Sequence, residues 1–188
     1  MSDLLDWLQG GNLRSDGAAD QAAEAVLNHE ELFSDLIEGL DSLDEVIRGR
    51  AADALEKVAR KKPDLFKDHH ISLIEILKKD KIPMVRWHLA MLLGHLALHE
   101  ETISASLPVL LDLLRDHSVF VKSWAITSLT IIARMYPEHL KRIAEDISGF
   151  KMDKSAAIRT RVRYALAALS DADAPFPKGW NKSELINL

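Results

Sequence analysis

The chain has 188 residues, 47% of them apolar, which is room for one compact unit or a short array with a continuous core. It contains no cysteine, which excludes disulfides and thiolate metal sites and suits a reducing compartment. The net charge of −5 hides an asymmetry: residues 1–45 carry 12 acids against one base, and the remainder carries 17 acids against 23 bases. Two readings fit this split. One is an acidic cap beside a mildly basic body. The other is an array with opposite ends, which favours head-to-tail contact or a charged partner and predicts self-association that salt weakens. No stretch approaches the roughly 20 apolar residues that span a bilayer. Residues 1–10 are acidic and lack the basic start of a secretory signal, so the expectation is a soluble cytoplasmic protein.

In chain order, Ser2 is a candidate N-cap for two helical turns over residues 2–8, which Gly10 and Gly11 end. Asp16-Gly17 marks a further break. Residues 18–27 are rich in good helix formers, and residues 30–40 place Leu32, Phe33, Leu36, Ile37 and Leu40 at helical spacing. A helix is predicted over about 44–60 after a turn at 41–44. Pro63 suits the first turn of the next helix, which puts Phe66, Leu73, Ile76 and Leu77 on one face. Pro83 opens a third pair with the stripe Val85, Leu89, Leu92, Leu93 and Leu96. Its partner holds Leu107, Leu110, Leu113 and Leu114, with Pro108 in or near the first turn. A fourth pair starts near Ser118, turns at Pro137 and holds Leu140, Ile143 and Ile147. A last helix is predicted over about 154–169. The segment 171–188 carries Phe176, Trp180, Leu185 and Ile186 among prolines and a glycine; it either packs over the open end of the last repeat or is a free docking segment. No stretch alternates apolar and polar residues long enough for a sheet.

Four of these helices share one motif. The blocks are IRGRAADAL at 47–55, VRWHLAMLL at 85–93, VKSWAITSL at 121–129 and IRTRVRYAL at 158–166, spaced by 38, 36 and 37 residues. A period in this range is the mark of a stacked-repeat protein. An Asp stands five residues before the block at Asp80, Asp116 and Asp153, and a base follows its first residue at Arg48, Arg86, Lys122 and Arg159. A small or apolar residue recurs at Ala51, Leu89, Ala125 and Val162, and each block closes on Leu55, Leu93, Leu129 or Leu166. The first block departs from the pattern, with its Asp at 41 or 44 instead of 42.

This pattern resembles the HEAT repeat, in particular the short HEAT-like repeats of bilin lyases, over about residues 18–170; residues 107–129 match it best. The resemblance implies an all-α, right-handed α-α superhelix of the HEAT/armadillo type with about four and a half helical pairs. The expected organisation is one domain over 1–170, with a cap at 1–17, repeats at roughly 18–43, 44–80, 81–116, 117–153 and 154–170, and a tail at 171–188 packed as a cap. In such arrays the basic column commonly meets the turn Asp of an adjacent repeat. That implies a ladder of Arg48, Arg86, Lys122 and Arg159 with Asp80, Asp116 and Asp153, setting register more than stability.

Constellations for chemistry are sparse. His88, His95 and His99 fall on one helical stripe, but turns are about 5.4 Å apart, so only the last two could share a metal, and nothing completes that site. Deoxyhypusine hydroxylases, another HEAT-like family, hold iron through four His-Glu pairs. Here only His29-Glu30 and His99-Glu100 occur, both away from the motif position. A HEAT-like alkylpurine glycosylase needs a basic, aromatic-lined concave groove. HEAT arrays line that side with the second helix of each pair, here with Glu75, Lys78, Asp112, Arg115, Arg142 and Glu145, a row of mixed sign without aromatics. Ser128 and Thr127 have no His-Asp partner at motif spacing, and Gly10-Gly11 lacks a phosphate-loop context.

What varies between the motif copies is a column of Arg50, His88, Trp124 and Arg161. Lys122 and Arg163 lie near it, Trp87 falls nearly opposite its helix's apolar stripe, and Trp and Arg are the residues most enriched among interface hot spots. These residues either pack against neighbouring repeats or form a patch for a partner, whose candidates are Trp87, His88, Lys122, Trp124, Arg161 and Arg163. The reading is a non-enzymatic scaffold or adaptor with a protein partner, no cofactor, no metal and no membrane, and a monomeric or weakly self-associating state. The alternative is a bilin-lyase-like or regulatory subunit of a larger assembly. A nucleic-acid-acting enzyme is the third and disfavoured reading.

Overall fold

This computed structural model describes residues 3–171 and 173–188, and among these residues there are ten α-helices, with short 3-10 turns between several of them. They are α1 (Asp3–Trp7), α2 (Ala19–Asn28), α3 (Phe33–Gly39), α4 (Glu45–Ala59), α5 (His70–Lys79), α6 (Pro83–His95), α7 (Ile103–Leu113), α8 (Val119–Met135), α9 (Leu140–Ser148) and α10 (Ala156–Leu169). The capping role expected of Ser2 lies outside the described residues. No described residue is in a strand, and no described helix is long and apolar enough to cross a membrane.

The motif helices start where side chains can satisfy their first free N–H groups. Asp44 accepts from Val46 N, Ser118 from Val121 N and Ser155 from Ile158 N, while Pro83 opens α6. Two expected helices differ in detail. Phe66 belongs to a separate 3-10 turn, Pro63–Phe66, because the chain breaks at 67–69 before α5 begins. Pro108 sits inside α7 and not in its first turn. Both Pro108 and Ser104, whose carbonyl loses its partner, are exposed, so water can replace the missing bond.

The helices form two layers. In one, α2, α4, α6, α8 and α10 pack on each other in sequence; in the other, α3, α5, α7 and α9 pack mainly on the motif helices. The apolar columns explain this. Ile47, Val85, Val121 and Ile158 are buried, as are Ala51, Leu89, Ala125 and Val162, and burying each large one contributes about 1.5–3 kcal/mol. Leu166 closes the last block and is only partly covered. Gly94 lets α6 and α8 approach closely: a Cβ there would lie 2.5 Å from Ser128 Oγ, which donates to Ala90 O at 2.7 Å.

Three of the ion pairs between repeats join the motif's basic column to a turn Asp. Arg48 Nε lies 2.8 Å from Asp80 Oδ2, Arg86 Nη1 2.5 Å from Asp116 Oδ2, and Lys122 Nζ 2.5 Å from Asp153 Oδ2. In each case a motif helix reaches the turn that precedes the next motif helix. The other oxygen of each Asp holds that turn, accepting from Ile82 N, Ser118 N and Ser155 N at 2.7 Å. One carboxylate thus fixes both a turn and its spacing from the previous repeat. The Lys122 ammonium holds the Asp153 carboxyl below the usual range. Arg159 donates to the carbonyls of Asp153 (2.8 Å) and Lys154 (3.2 Å), as Arg48 does to those of Ser42 and Leu43. Arg86→Glu would set a second carboxylate beside the nearly buried Asp116. We expect a folded protein destabilised by about 1–3 kcal/mol in thermal melts; an unchanged melting temperature would count against the pairing.

Beyond α10 the chain turns back across the motif layer. Ala174 O accepts from Arg134 Nη1 of α8 at 2.8 Å, and Glu184 N donates to Arg60 O, at the end of α4, at 3.0 Å. The tail therefore does not cover the last repeat alone.

Candidate functional site

The four unlike residues of the variable column, Arg50, His88, Trp124 and Arg161, lie on α4, α6, α8 and α10, and the structure gives each a different task. Arg50 is 4% exposed and holds the segment between α1 and α2. Its Nη1 donates to the carbonyls of Leu8 (2.8 Å), Gln9 (3.1 Å) and Gly10 (2.8 Å), and Asn12 O and Ser15 O lie 3.4 Å from Nη2 and Nε. Gly17 closes that segment with φ +55°, where a Cβ would fall 2.5 Å from Arg50 Cζ. Only glycine fits there.

His88 is buried under Trp87. Trp87 Nε1 donates to His88 Nε2 at 3.0 Å, and His88 Nδ1 meets Met84 O at 3.0 Å. An indole can only donate, so Nε2 accepts and Nδ1 carries the proton. Burial pushes the His88 pKa down, against the nearby Asp53 carboxylate. The Trp87 ring in turn rests on Phe120, with centroids 5.1 Å apart.

Trp124 and Arg161 carry the tail. Arg161 Nη1 donates to Thr127 Oγ1 at 2.9 Å, and its guanidinium lies 5.3 Å from the Trp124 ring and 4.5 Å from the Trp180 ring. Lys182 Nζ sits 5.6 Å over Trp124. The column is thus where both terminal segments attach, one at Arg50 and the other at Trp124 and Arg161.

Between those attachments lies an open cleft of about 420 Å³. Trp87, Phe120 and Trp124 supply its aromatic wall, Met84 and Met91 its apolar floor, and Arg14 and Asp16 from the amino-terminal segment face Lys182 from the tail. At the α4 side Lys57 is bracketed by acids: Nζ lies 3.1 Å from Asp53 and close against Asp20. Burial alone would lower the Lys57 ammonium; the two carboxylates outweigh it and hold its pKa raised.

Beneath Arg60 is a buried charge cluster. Glu56 is fully buried and accepts from Arg60 Nε (2.9 Å), Arg60 Nη2 (2.5 Å) and His95 Nε2 (2.7 Å). Burial raises its pKa, but the His95 and Arg60 hydrogen bonds and charges prevail and hold it at about 2.

The remaining sequence candidates lie elsewhere. Lys122 is committed to Asp153, and Arg163 is exposed on α10 beside Tyr164, so neither joins the cleft. Glu75 and Lys78 pair with each other at 3.1 Å on α5, and Arg142 lies 4.0 Å from Asp146 on α9. Asp112, Arg115 and Glu145 are exposed. None of the six expected concave residues lines the cleft: five lie on α5, α7 and α9, and Arg115 follows α7. Ser128 and Thr127 are buried and bonded to Ala90 O and Ser123 O. His88, His95 and His99 face different partners, the last 3.5 Å from Asp64, and no group of three metal-ligating side chains converges among the described residues.

Sequence reasoning missed Phe120, Arg14, Asp16 and Lys182 as cleft residues. A signal existed for Phe120, which stands one helical turn before Trp124. None existed for the others, which reach the cleft through chain reversals.

The fold has counterparts among solved structures. The designed armadillo repeat protein YIII(Dq)4CqI is 17% identical with a TM-score of 0.62, over 88% of this chain and 80% of that one. Computationally designed armadillo repeat proteins for modular peptide recognition match at 17% identity and a TM-score of 0.64, over 88% and 80%. An engineered protein matches at 20% and 0.62, over 89% and 78%. The chain is thus similar in fold to armadillo repeats, an all-α HEAT/armadillo-like solenoid. No family model matches its sequence, and no curated protein does.

Proposed function

We propose that the chain is a non-enzymatic recognition module that binds an extended segment of a protein partner across α6 and α8. The observation that carries this reading is the line of Trp87, Phe120 and Trp124, which spans two repeats along the cleft. Preformed aromatic anchors bind with little ordering cost, and such residues concentrate binding energy. The designed neighbours built for modular peptide recognition support the reading by fold likeness.

The charges favour peptide over nucleic acid. Phosphate binding draws its strength from cations that release counterions, yet Lys57 and Arg60 are already matched by Asp20, Asp53 and Glu56. Asp16 adds a further carboxylate to the cleft. A main chain with mixed side chains suits this balance better than a polyanion.

The test is selection of a displayed library of random 12-residue peptides against the purified chain, with anisotropy on the winners and on single-stranded DNA of similar length. The expected result is saturable peptide binding that Trp87→Ala weakens about tenfold or more, with helical content unchanged. Salt-sensitive DNA binding with no peptide enriched would overturn the proposal.

A further inference from the structure

The tail is attached to this surface in the manner of a ligand. It has no helix or strand, and it touches α10, α8 and α4 through separated points. Trp180 stacks on Arg161, Lys182 lies over Trp124, and Glu184 N–H donates to Arg60 O at 3.0 Å. Arg60 O is one of the last carbonyls of its helix, which have no partner within the helix itself. The Glu184 carboxylate lies 3.4 Å from Lys61, and Ile186 is 5% exposed within the apolar cluster. These are side-chain anchors at intervals plus a main-chain hydrogen bond.

Between these anchors the tail is lightly held. Leu185 and Leu188 are 49% and 37% exposed, and Lys178, Gly179 and Lys182 are open to water. Segments with few buried contacts open at low cost relative to the whole fold. The tail reaches the aromatic wall at Trp124 and leaves Phe120 63% exposed.

We propose that residues 174–188 are a cis occupant of the recognition surface, and that the partner is an extended protein segment repeating their chemistry. That segment carries an aromatic residue for Arg161, a lysine two positions on for Trp124, and an aliphatic residue four positions after that for the Ile186 site. It engages Trp87 and Phe120 beyond what the tail covers and lifts the tail from Trp124. This inference rests on the recognition reading above. A tethered occupant acts at an effective concentration of about millimolar, so it holds off weak ligands and yields to a better match.

The probe is a fluorescein-labelled synthetic peptide of residues 174–188, titrated by anisotropy into the full chain and into full-length Trp180→Ala. Binding to Trp180→Ala should be at least about tenfold tighter than to the unmodified chain, because the cis competitor is weakened. Adding Trp124→Ala should abolish it, and a peptide with Glu in place of Lys182 should bind more weakly. Equal affinity for both chains, or none for Trp180→Ala, overturns the proposal. A second measurement needs no variant. Hydrogen exchange on the unmodified chain should show the Glu184 amide protected, and faster exchange over residues 180–186 once a library-selected peptide saturates the cleft. Unchanged exchange there overturns the cis-occupant inference yet leaves the recognition reading standing, whereas a library that yields no binder removes that reading. A concentration-dependent dimer that exchanges tails would make a second copy the occupant and overturn the choice of a foreign partner.

Discussion

Arg50→Ala is expected to release the segment between α1 and α2 and to destabilise the chain by about 3–5 kcal/mol. The guanidinium is buried and makes three hydrogen bonds of 3.1 Å or less to consecutive carbonyls. Each hydrogen bond from a charged donor contributes about 1.5–3 kcal/mol, less what water restores once the segment lifts. For a domain of this size the melting temperature should fall by roughly 10 °C. Arg50→Lys should recover little, since an ammonium cannot span the fork of five acceptors. Arg14 is the one basic residue among the first 45, so early tryptic cleavage there reports the release directly. A variant that melts like the parent and resists trypsin at Arg14 would show that Arg50 does not hold this segment.

Glu56→Gln should cost about 3 kcal/mol at neutral pH. The change keeps the volume but removes the charge that Arg60 and His95 both address. The pH dependence follows from the depressed pKa. The folded value of about 2 lies below the ordinary 4.5. The ionised carboxylate therefore contributes its full stabilisation above about pH 4.5, and loses it as the pH falls toward 2. The shift corresponds to about 3 kcal/mol. His88 adds a loss of its own in both proteins: its pKa is pushed down, so acidification below its ordinary 6.5 works against the fold. Subtracting the variant's urea-derived stability from the parent's should therefore leave a difference that is flat above about pH 5 and shrinks below it. A difference independent of pH down to 2.5 would contradict the assigned role of Glu56.

How much of this was legible depended on the range of the interactions. The repeat period, the apolar columns and the Arg/Lys–Asp spacing are local or periodic, so the stacking of α4, α6, α8 and α10 could be read from the motif. The cleft was only partly legible. The column Arg50, His88, Trp124 and Arg161 was visible as the part of the motif that the fold does not require. Its members differ in use, however, because two terminal segments return to it, and chain reversal leaves no periodic trace. Of the partner candidates, Trp87, His88 and Trp124 line the cleft and Lys122 and Arg163 do not; the concave-face candidates Glu75, Lys78, Asp112, Arg115, Arg142 and Glu145 followed from the helix order that the resemblance implies and lie outside the cleft. The segment between α1 and α2 and the segment 174–188 both attach to the motif helices themselves. The Glu56–His95 contact joins residues 39 apart in the chain and follows from no rule of composition.

The four tryptophans allow one direct test of where a ligand binds. Trp87, Trp124 and Trp180 lie at the cleft or the tail, while Trp7 is 49% exposed on α1. A ¹⁵N-labelled chain titrated with a library-selected peptide should show the indole resonances of Trp87, Trp124 and Trp180 moving together and Trp7 unmoved. Shifts at Trp7, or on α5, α7 and α9, with Trp87 and Trp124 unchanged would contradict the placement of the recognition surface on the motif helices.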